Sequence, residues 1–420
     1  MNIAEKILAG ASGREEVKPG EIVQAKVDMA MVNDITGALA TQAFKKIGTP
    51  NVWDNQRIVL ILDHVVPANS VRSAELHKIM RTFAKEQDIP LLYDVGFGGV
   101  CHQVMVEKGH VLPGELVVGA DSHTCTYGAL GAFATGIGST EMAGVFATGE
   151  IWLRVPSSIR INLAGSFRKF VNPKDLILYL VGRIGSDGAT YKAVEFTGPA
   201  VFGINVSGRM TMCNMAVEMG AKTGIVSADE VTLGYIEDRT ERSFRILGSD
   251  HDAAYEETVE VDISKLEPQV ACPDSVDNVK LAKEVEGTEI NQAFIGSCTN
   301  GRLEDLEVAA EFLKGRKVPK DVRLLITPAS QEVYLEALKR GLFEIFVNAG
   351  AYVCSPTCGA CFGGHMGLLA AGEVCVSSSN RNFVGRMGSP EAEIYLASPE
   401  TVAASALAGE IVDPRSYLGV

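Results

Sequence analysis

The segment Ile290–Leu306, "INQAFIGSCTNGRLEDL", changes character at its midpoint. Its first half is an apolar run ending at Cys298, which reads as a buried strand. Its second half places Glu304 and Asp305 in the first turn of a helix, with Thr299 and Asn300 where they can cap it. A thiol at Cys298 then lies near a helix N-terminus, which favours the thiolate.

The same construction recurs along the chain. "RIVLILDH" ends in Asp63 and His64, "PLLYDVGFGGVCHQ" leads to Cys101 and His102, and "GELVVGADSHT" ends in Asp121 and His123. "VRLLITPAS" ends at Ser330, and "EVCVSSSNRNFVGR" ends in Ser377 to Arg381 and beyond. Short Val/Ile/Leu runs read as buried parallel strands. Helices are predicted between them at about 70–87, 139–152, 304–315, 331–341 and 391–409. Such alternation predicts an α/β fold, with ligands beyond the carboxyl ends of the strands. Six polar clusters in that position predict several α/β units facing a shared cleft. Boundaries are expected near residues 157 and 286, giving segments 1–157, 158–286 and 287–420.

A chain of 420 residues with 46% hydrophobic and 21% charged residues can bury large cores without staples. Its formal charge of −14 disfavours a nucleic-acid or anionic-membrane surface, though not a small anionic substrate. It has no apolar run long enough for a membrane span and no signal-peptide core, so a cytoplasmic location is expected.

Nine cysteines, an odd and uneven set, point to metal or catalysis rather than disulfides. "CSPTCGACFGG" (354–364) holds three of them. Alone, Cys358-Gly-Ala-Cys361 fits a redox pair or buried thiols in a glycine turn. Zinc is disfavoured, because no second Cys-x-x-Cys and no paired histidines accompany it. With Cys298 the pair makes three thiolates, one short of the usual set for a [4Fe–4S] cluster. Three ligands leave one iron open as a Lewis acid, the chemistry needed to remove a hydroxyl beta to a carboxylate. Cys354 could close the cluster, but is preferred as a neighbouring buried thiol. Cys101, Cys125, Cys213, Cys272 and Cys375 read as small buried hydrophobes, and His77, His110 and His251 as surface residues. The Gly-rich run 128–138 lacks the pattern of a nucleotide loop and reads as close backbone packing.

"IGSCTNGR" (295–302), "CGAC" (358–361), "DSHT" (121–124) and "SSNRNFVGRMG" (378–388) together resemble the aconitase superfamily of iron–sulfur hydro-lyases, over essentially the whole chain. The resemblance implies three related, three-layer α/β/α domains of the aconitase iron–sulfur type. It implies one [4Fe–4S] cluster with one open iron, held by Cys298, Cys358 and Cys361. It implies that Asp63 and His64 form the pair that protonates the departing hydroxyl. His102 would be an active-site histidine paired with Glu218, on a helix face shared with Asn214, which is expected to bind substrate. Asp121 and His123 would lie around the substrate hydroxyl. Asn380 would lie near the cluster, with Arg381 and Arg386 holding substrate carboxylate, a role suited to the planar guanidinium fork.

The resemblance further implies that a fourth, swivelling domain, with a serine base, sits on a separate small subunit, as in the two-subunit members. The expected reaction converts 2-isopropylmalate to 3-isopropylmalate by dehydration and rehydration, in leucine synthesis. Homoaconitate-type tricarboxylates and 2,3-dimethylmalate are the alternative hydroxy-acid substrates. Two readings of other classes compete. An RNA-binding relative without its cluster is disfavoured by the net charge and the retained cysteines. An electron carrier would need a fourth ligand and has no use for the histidine, aspartate and arginine clusters.

Overall fold

The computed structural model of the chain describes residues 1–418. Within them the chain forms two compact units, one of residues 1–164 and 189–261, the other of residues 165–188 and 262 onward. Three parallel or largely parallel sheets organise these units, and all three are wound alike.

The first sheet has five strands, all paired in parallel: Met29–Asn33, Ile58–Ile61, Leu92–Tyr93, Leu116–Gly119 and Phe133–Gly136. In space they run third, second, first, fourth, fifth. Their cores, such as "IVLI" at 58–61, are wholly buried, as strands covered on both faces require. Helices Gly37–Ile47, Val71–Glu86 and Ser139–Thr148 pack against this sheet. Their rings meet where Phe83 touches Phe44 edge-on and stacks on Phe146, with centroids 5.6 and 5.7 Å apart. Ser70 caps the helix Val71–Glu86 by accepting from the Ser73 N–H.

The second sheet, in the same unit, orders Thr223–Val226, Ala193–Thr197, Ser158–Ala164 and Glu257–Asp262 side by side. In chain order that is third, second, first, fourth. The third sheet belongs to the other unit. Its five parallel strands are Gln292–Ile295, Arg323–Ile326, Tyr352–Val353, Val374–Ser377 and Glu393–Ala397. They again run third, second, first, fourth, fifth, and two antiparallel strands, Gln269–Ala271 and Val279–Leu281, extend the far edge. The helix Pro173–Ile184 packs with these added strands. The expected α/β class and its repeated layered architecture are therefore what the chain adopts.

Two helices are shorter than their sequence pattern predicts. The helix expected over 139–152 stops at Thr148, because Gly149 turns left-handed (φ 70°) against the Trp53 ring. The next residues, Glu150–Arg154, pair antiparallel with Ile22–Lys26. The helix expected over 391–409 starts only at Pro399, capped by Ser398, because "EIYLA" (393–397) is the last parallel strand.

The Gly-rich run does what its composition predicts: it lets backbones touch. A Cβ on Gly128 would fall 1.7 Å from the Gly224 carbonyl oxygen of the second sheet. Gly128→Ala should therefore abolish a cooperative melt or leave insoluble protein. Gly144→Ala, inside a helix with no atom within 4 Å, should keep or raise the melting temperature. Differential scanning fluorimetry of both variants checks this contrast.

Candidate active site

The first unit collects its polar groups where its sheet reverses direction. Met29–Asn33 and Leu116–Gly119 are neighbours whose following segments diverge, so a crevice opens beyond their carboxyl ends. Asn33 spans it, donating to Asp121 Oδ2 at 3.1 Å. Asp63 and His64 follow the adjacent strand Ile58–Ile61.

Asp63 is buried, and its two oxygens have separate tasks. Oδ2 accepts the Cys101 N–H at 2.7 Å, and Oδ1 lies 2.7 Å from Nδ1 of His64. Burial opposes a charge on His64, but Asp63, then Asp34 and Asp121, outweigh it and raise the pKa to about 10. The ring is thus an imidazolium at neutral pH, a loaded proton donor oriented by a carboxylate.

His102 and His123 each hold a carboxylate partner. The Nε2–H of His102 is directed to Asp121 Oδ1 at 2.9 Å, and its Nδ1 meets the Tyr127 hydroxyl at 3.0 Å. Asp121 also accepts the His123 N–H at 2.8 Å. Burial acts to raise the Asp121 pKa, but His102 and His123 hold it well below the usual range. The sequence pairs His102 with Glu218; the structure gives Glu218 to His123, at 2.9 Å. The reason lies in the 3-10 segment Ser122–Leu130, whose Gly128 rides on Gly224 and carries His123 toward the 3-10 turn Ala216–Met219. Glu218 is thus on that turn, past the end of the helix Val206–Met215 that holds Asn214. Asn214 is fully buried and donates to Thr126 Oγ1 at 2.8 Å.

His77 is not a surface residue. It is 1% exposed, on the buried stripe of its helix, with Nε2 3.1 Å from Asp34 Oδ2. His110 is half-buried against the Tyr93 hydroxyl, and burial lowers its pKa to about 4.

The second unit places its cysteines at the equivalent position, between the ends of Gln292–Ile295 and Val374–Ser377. All nine cysteines are buried and none is in a disulfide. Cys298 and Cys361 share the polar partners Ser297 and Asn380, and Cys358 is hydrogen-bonded to Cys361. The Ser297 hydroxyl lies 3.7 Å from Cys298 Sγ and 3.6 Å from Cys361 Sγ. Asn380 Nδ2 lies 3.2 Å from Cys298 Sγ, and its Oδ1 lies 3.6 Å from Cys361 Sγ. Arg386 donates to the Cys361 carbonyl at 2.8 Å and reaches its sulfur at 3.5 Å. Cys361 is held well below the usual thiol range, first by the hydrogen bond from Cys358, then, against burial, by Arg386 and Ser297. Burial instead pushes the Cys354 thiol up. Arg381 is turned elsewhere, over the exposed Phe383 ring.

Three thiols, with amide, hydroxyl and guanidinium groups directed at sulfur, fit an iron–sulfur cluster, whose sulfurs need hydrogen bonds to carry negative charge. Ser297 enters this cradle at φ 74°, strain of the kind kept at working sites. Thr299 and Asn300 do not cap the following helix; the Asp305 carboxylate does, accepting the Arg302 N–H at 2.9 Å. Two further residues went unnoticed in the sequence. Arg302, buried, donates to the carbonyls of Cys298 and Thr299 at 2.7 and 2.5 Å. Lys174, fully buried, donates to the carbonyls of Ser378 and Ser379 at 2.7 and 2.6 Å, with burial lowering its pKa to about 7. No helix of the described residues is long and apolar enough to cross a membrane.

Comparison with known proteins gives three findings. The model of the family "Aconitase family (aconitate hydratase)" matches residues 5–286 and 274–409. A 3-isopropylmalate dehydratase large subunit of Methanopyrus kandleri is 58% identical, and a protein named "Probable methanogen homoaconitase large subunit" from Methanothermobacter thermautotrophicus is 54% identical. The alignments cover 99% of both chains for the first, and 100% of this chain and 99% of the relative for the second. Among solved structures, Thermococcus kodakaraensis aconitase X in its holo-form superposes with a TM-score of 0.52 over 88% of each chain, at 12% identity, a likeness of fold.

Two tests address the site. After anaerobic reconstitution, Cys298→Ser, Cys358→Ser and Cys361→Ser should each lose iron, sulfide and visible absorbance, while Cys354→Ser should keep them; a loss in Cys354→Ser would make that thiol a ligand. For His64, the pKa rises from 6.5 to about 10 on folding, so its ion pair stabilises fully below about pH 6.5 and fades as pH climbs through 10. His64→Gln should therefore lower the melting temperature most at about pH 6.5 and below, and the gap to wild type should close as pH rises toward 10. An unchanging gap would mean that no charge on His64 is involved.

Proposed function

The chain belongs to the aconitase family, and from that premise we propose that it is the cluster-bearing large subunit of a hydro-lyase converting 2-isopropylmalate to 3-isopropylmalate. The observation that carries the chemistry is the His64 imidazolium, locked 2.7 Å from Asp63. The substrate follows the name of the relative that is 58% identical along its full length.

Cys298, Cys358 and Cys361 would hold a [4Fe–4S] cluster with one open iron, with Asn380 and Arg386 supporting the sulfurs. When bound, that cluster supplies a Lewis acid that weakens the bond to the substrate hydroxyl. His64 gives its proton to the departing hydroxyl. Its high pKa keeps the proton loaded at pH 7, to be released only as the leaving oxygen becomes basic. Asp63 holds the ring in one orientation and offsets its charge. The pairs His102–Asp121 and His123–Glu218 orient the groups around the hydroxyl. Arg381, by turning from the Phe383 ring, and Arg386, from beside Cys361, take substrate carboxylate, and Asn214 braces the segment that carries His123. The base that removes the carbon-bound proton comes from a small partner subunit, so this chain alone is inactive. The reading includes a cytoplasmic location and three domains meeting near residues 157 and 286.

A homoaconitate-type substrate is the second reading, favoured by the relative that is 54% identical. Anaerobic assay of the reconstituted chain with its small subunit, on 2-isopropylmalate, homocitrate, citrate and 2,3-dimethylmalate, separates them. Turnover of isopropylmalate alone supports the first reading. Turnover of homocitrate moves the chain to the second. No turnover by an enzyme with an assembled cluster overturns both. In the active pair, His64→Gln should lower kcat by roughly two to four orders of magnitude while iron content stays constant.

A further inference from the structure

Asp34 follows the strand Met29–Asn33 and is completely buried. Its carboxylate accepts three successive backbone N–H groups from the neighbouring strand end. Oδ1 takes those of Asp63 and His64 at 3.3 and 2.9 Å, and Oδ2 takes that of Val65 at 2.9 Å. Oδ2 also accepts from His77 Nε2 at 3.1 Å. His77 comes from the middle of the next helix and is as buried as Asp34.

This is a costly way to close a turn. An ionised carboxylate in an apolar interior needs several donors to be tolerated, and a side chain within the turn could cap it locally. What the long-range arrangement adds is a fixed backbone for the pair Asp63–His64. With their three N–H groups anchored, the backbone that carries Asp63 and His64 is fixed, and His64 Nδ1 keeps Asp63 Oδ1 as its nearest carboxylate oxygen. Asp34 Oδ1 itself stands 3.6 Å from His64 Nδ1. Asp34, Asp63 and His64 also bring ligand atoms within 4.8 Å of one another, as a cation site would. The oxygens of Asp34 are already taken by four N–H donors, so the cluster is built to hold backbone and imidazole rather than an ion.

We propose that Asp34 and His77 are positioning residues, a buried arm that clamps the turn 63–65 and thereby aims His64. This rests on the reading of His64 as the proton donor. Neither residue touches the reacting atoms. The function of the arm is geometric: His77 fixes Asp34, Asp34 fixes the turn, and the turn fixes the donor.

The test uses the reconstituted holoenzyme with its small subunit and four variants: Asp34→Asn, His77→Ala, His77→Gln and His64→Gln. Asp34→Asn and His77→Ala should lower kcat at least about tenfold, with KM within about twofold and iron content unchanged. His77→Gln keeps a donor near the Nε2 position and should recover most of the lost kcat. In protein carrying 15N-labelled histidine, the His64 signal, assigned by its absence in His64→Gln, should move in Asp34→Asn and His77→Ala. Should His77→Ala fail to fold, Asp34→Asn and the rescue variant carry the same comparison. Unchanged kcat and an unmoved His64 signal in Asp34→Asn, while His64→Gln is inactive, would reduce the arm to a structural ion pair. An active His64→Gln would instead overturn the reading of His64 as donor, whatever the arm does.

Discussion

In a parallel sheet wound third, second, first, fourth, fifth, the first and fourth strands are neighbours whose continuations leave toward opposite faces. The backbone beyond their ends cannot stay paired, and the gap between the diverging segments is where a ligand can approach main chain and side chains together. This chain uses that constraint in both of its units. In one, Asp34 and Asp121 follow the two strands at the switch, with Asp63 and His64 on the next strand out. In the other, Cys298 and the loop Ser377–Asn380 do so. Acid–base groups and thiols thus occupy the same architectural position in separately wound sheets.

A crevice lined by charges inside a protein is stable only if each charge is answered. The networks are accordingly dense. Asp121 serves Asn33, His102 and the His123 backbone at once. Asp34 serves four donors. Lys174, which has no carboxylate hydrogen-bonded to its Nζ among the described contacts, spends its protons on the carbonyls of Ser378 and Ser379, beneath the residue that touches two of the sulfurs. Removing one member strands the others, so single substitutions there act through their neighbours.

The two kinds of cysteine show how environment sorts identical side chains. Cys361 receives hydrogen bonds and a guanidinium and is drawn toward the thiolate. Cys354, seven residues earlier, and Cys375, in the strand Val374–Ser377, are pushed the other way, chiefly by burial. Sequence spacing brings Cys354 and Cys361 close, but the surrounding donors decide which thiol is drawn toward the thiolate.

The sequence by itself determined the fold class and marked most of the residues that stand as candidates for the site. Those signals are local: apolar runs of four or five residues, a polar cluster at each run's end, and fixed spacings such as Cys358-Gly-Ala-Cys361. Its periodicity also held a signal that a residue-by-residue reading passed over. His77 lies on the stripe Ser73, His77, Met80, Ala84 of its helix, so its burial follows from position. Other facts were beyond local reach. Gly149 ends a helix whose pattern continues, because Trp53 and a strand from residues 22–26 meet it there. Glu218 finds His123 rather than His102 because two glycines let a 3-10 segment lie on a distant strand, across 95 residues. Partner choice among histidines and carboxylates depends on which backbones can approach, and only the tertiary structure sets that.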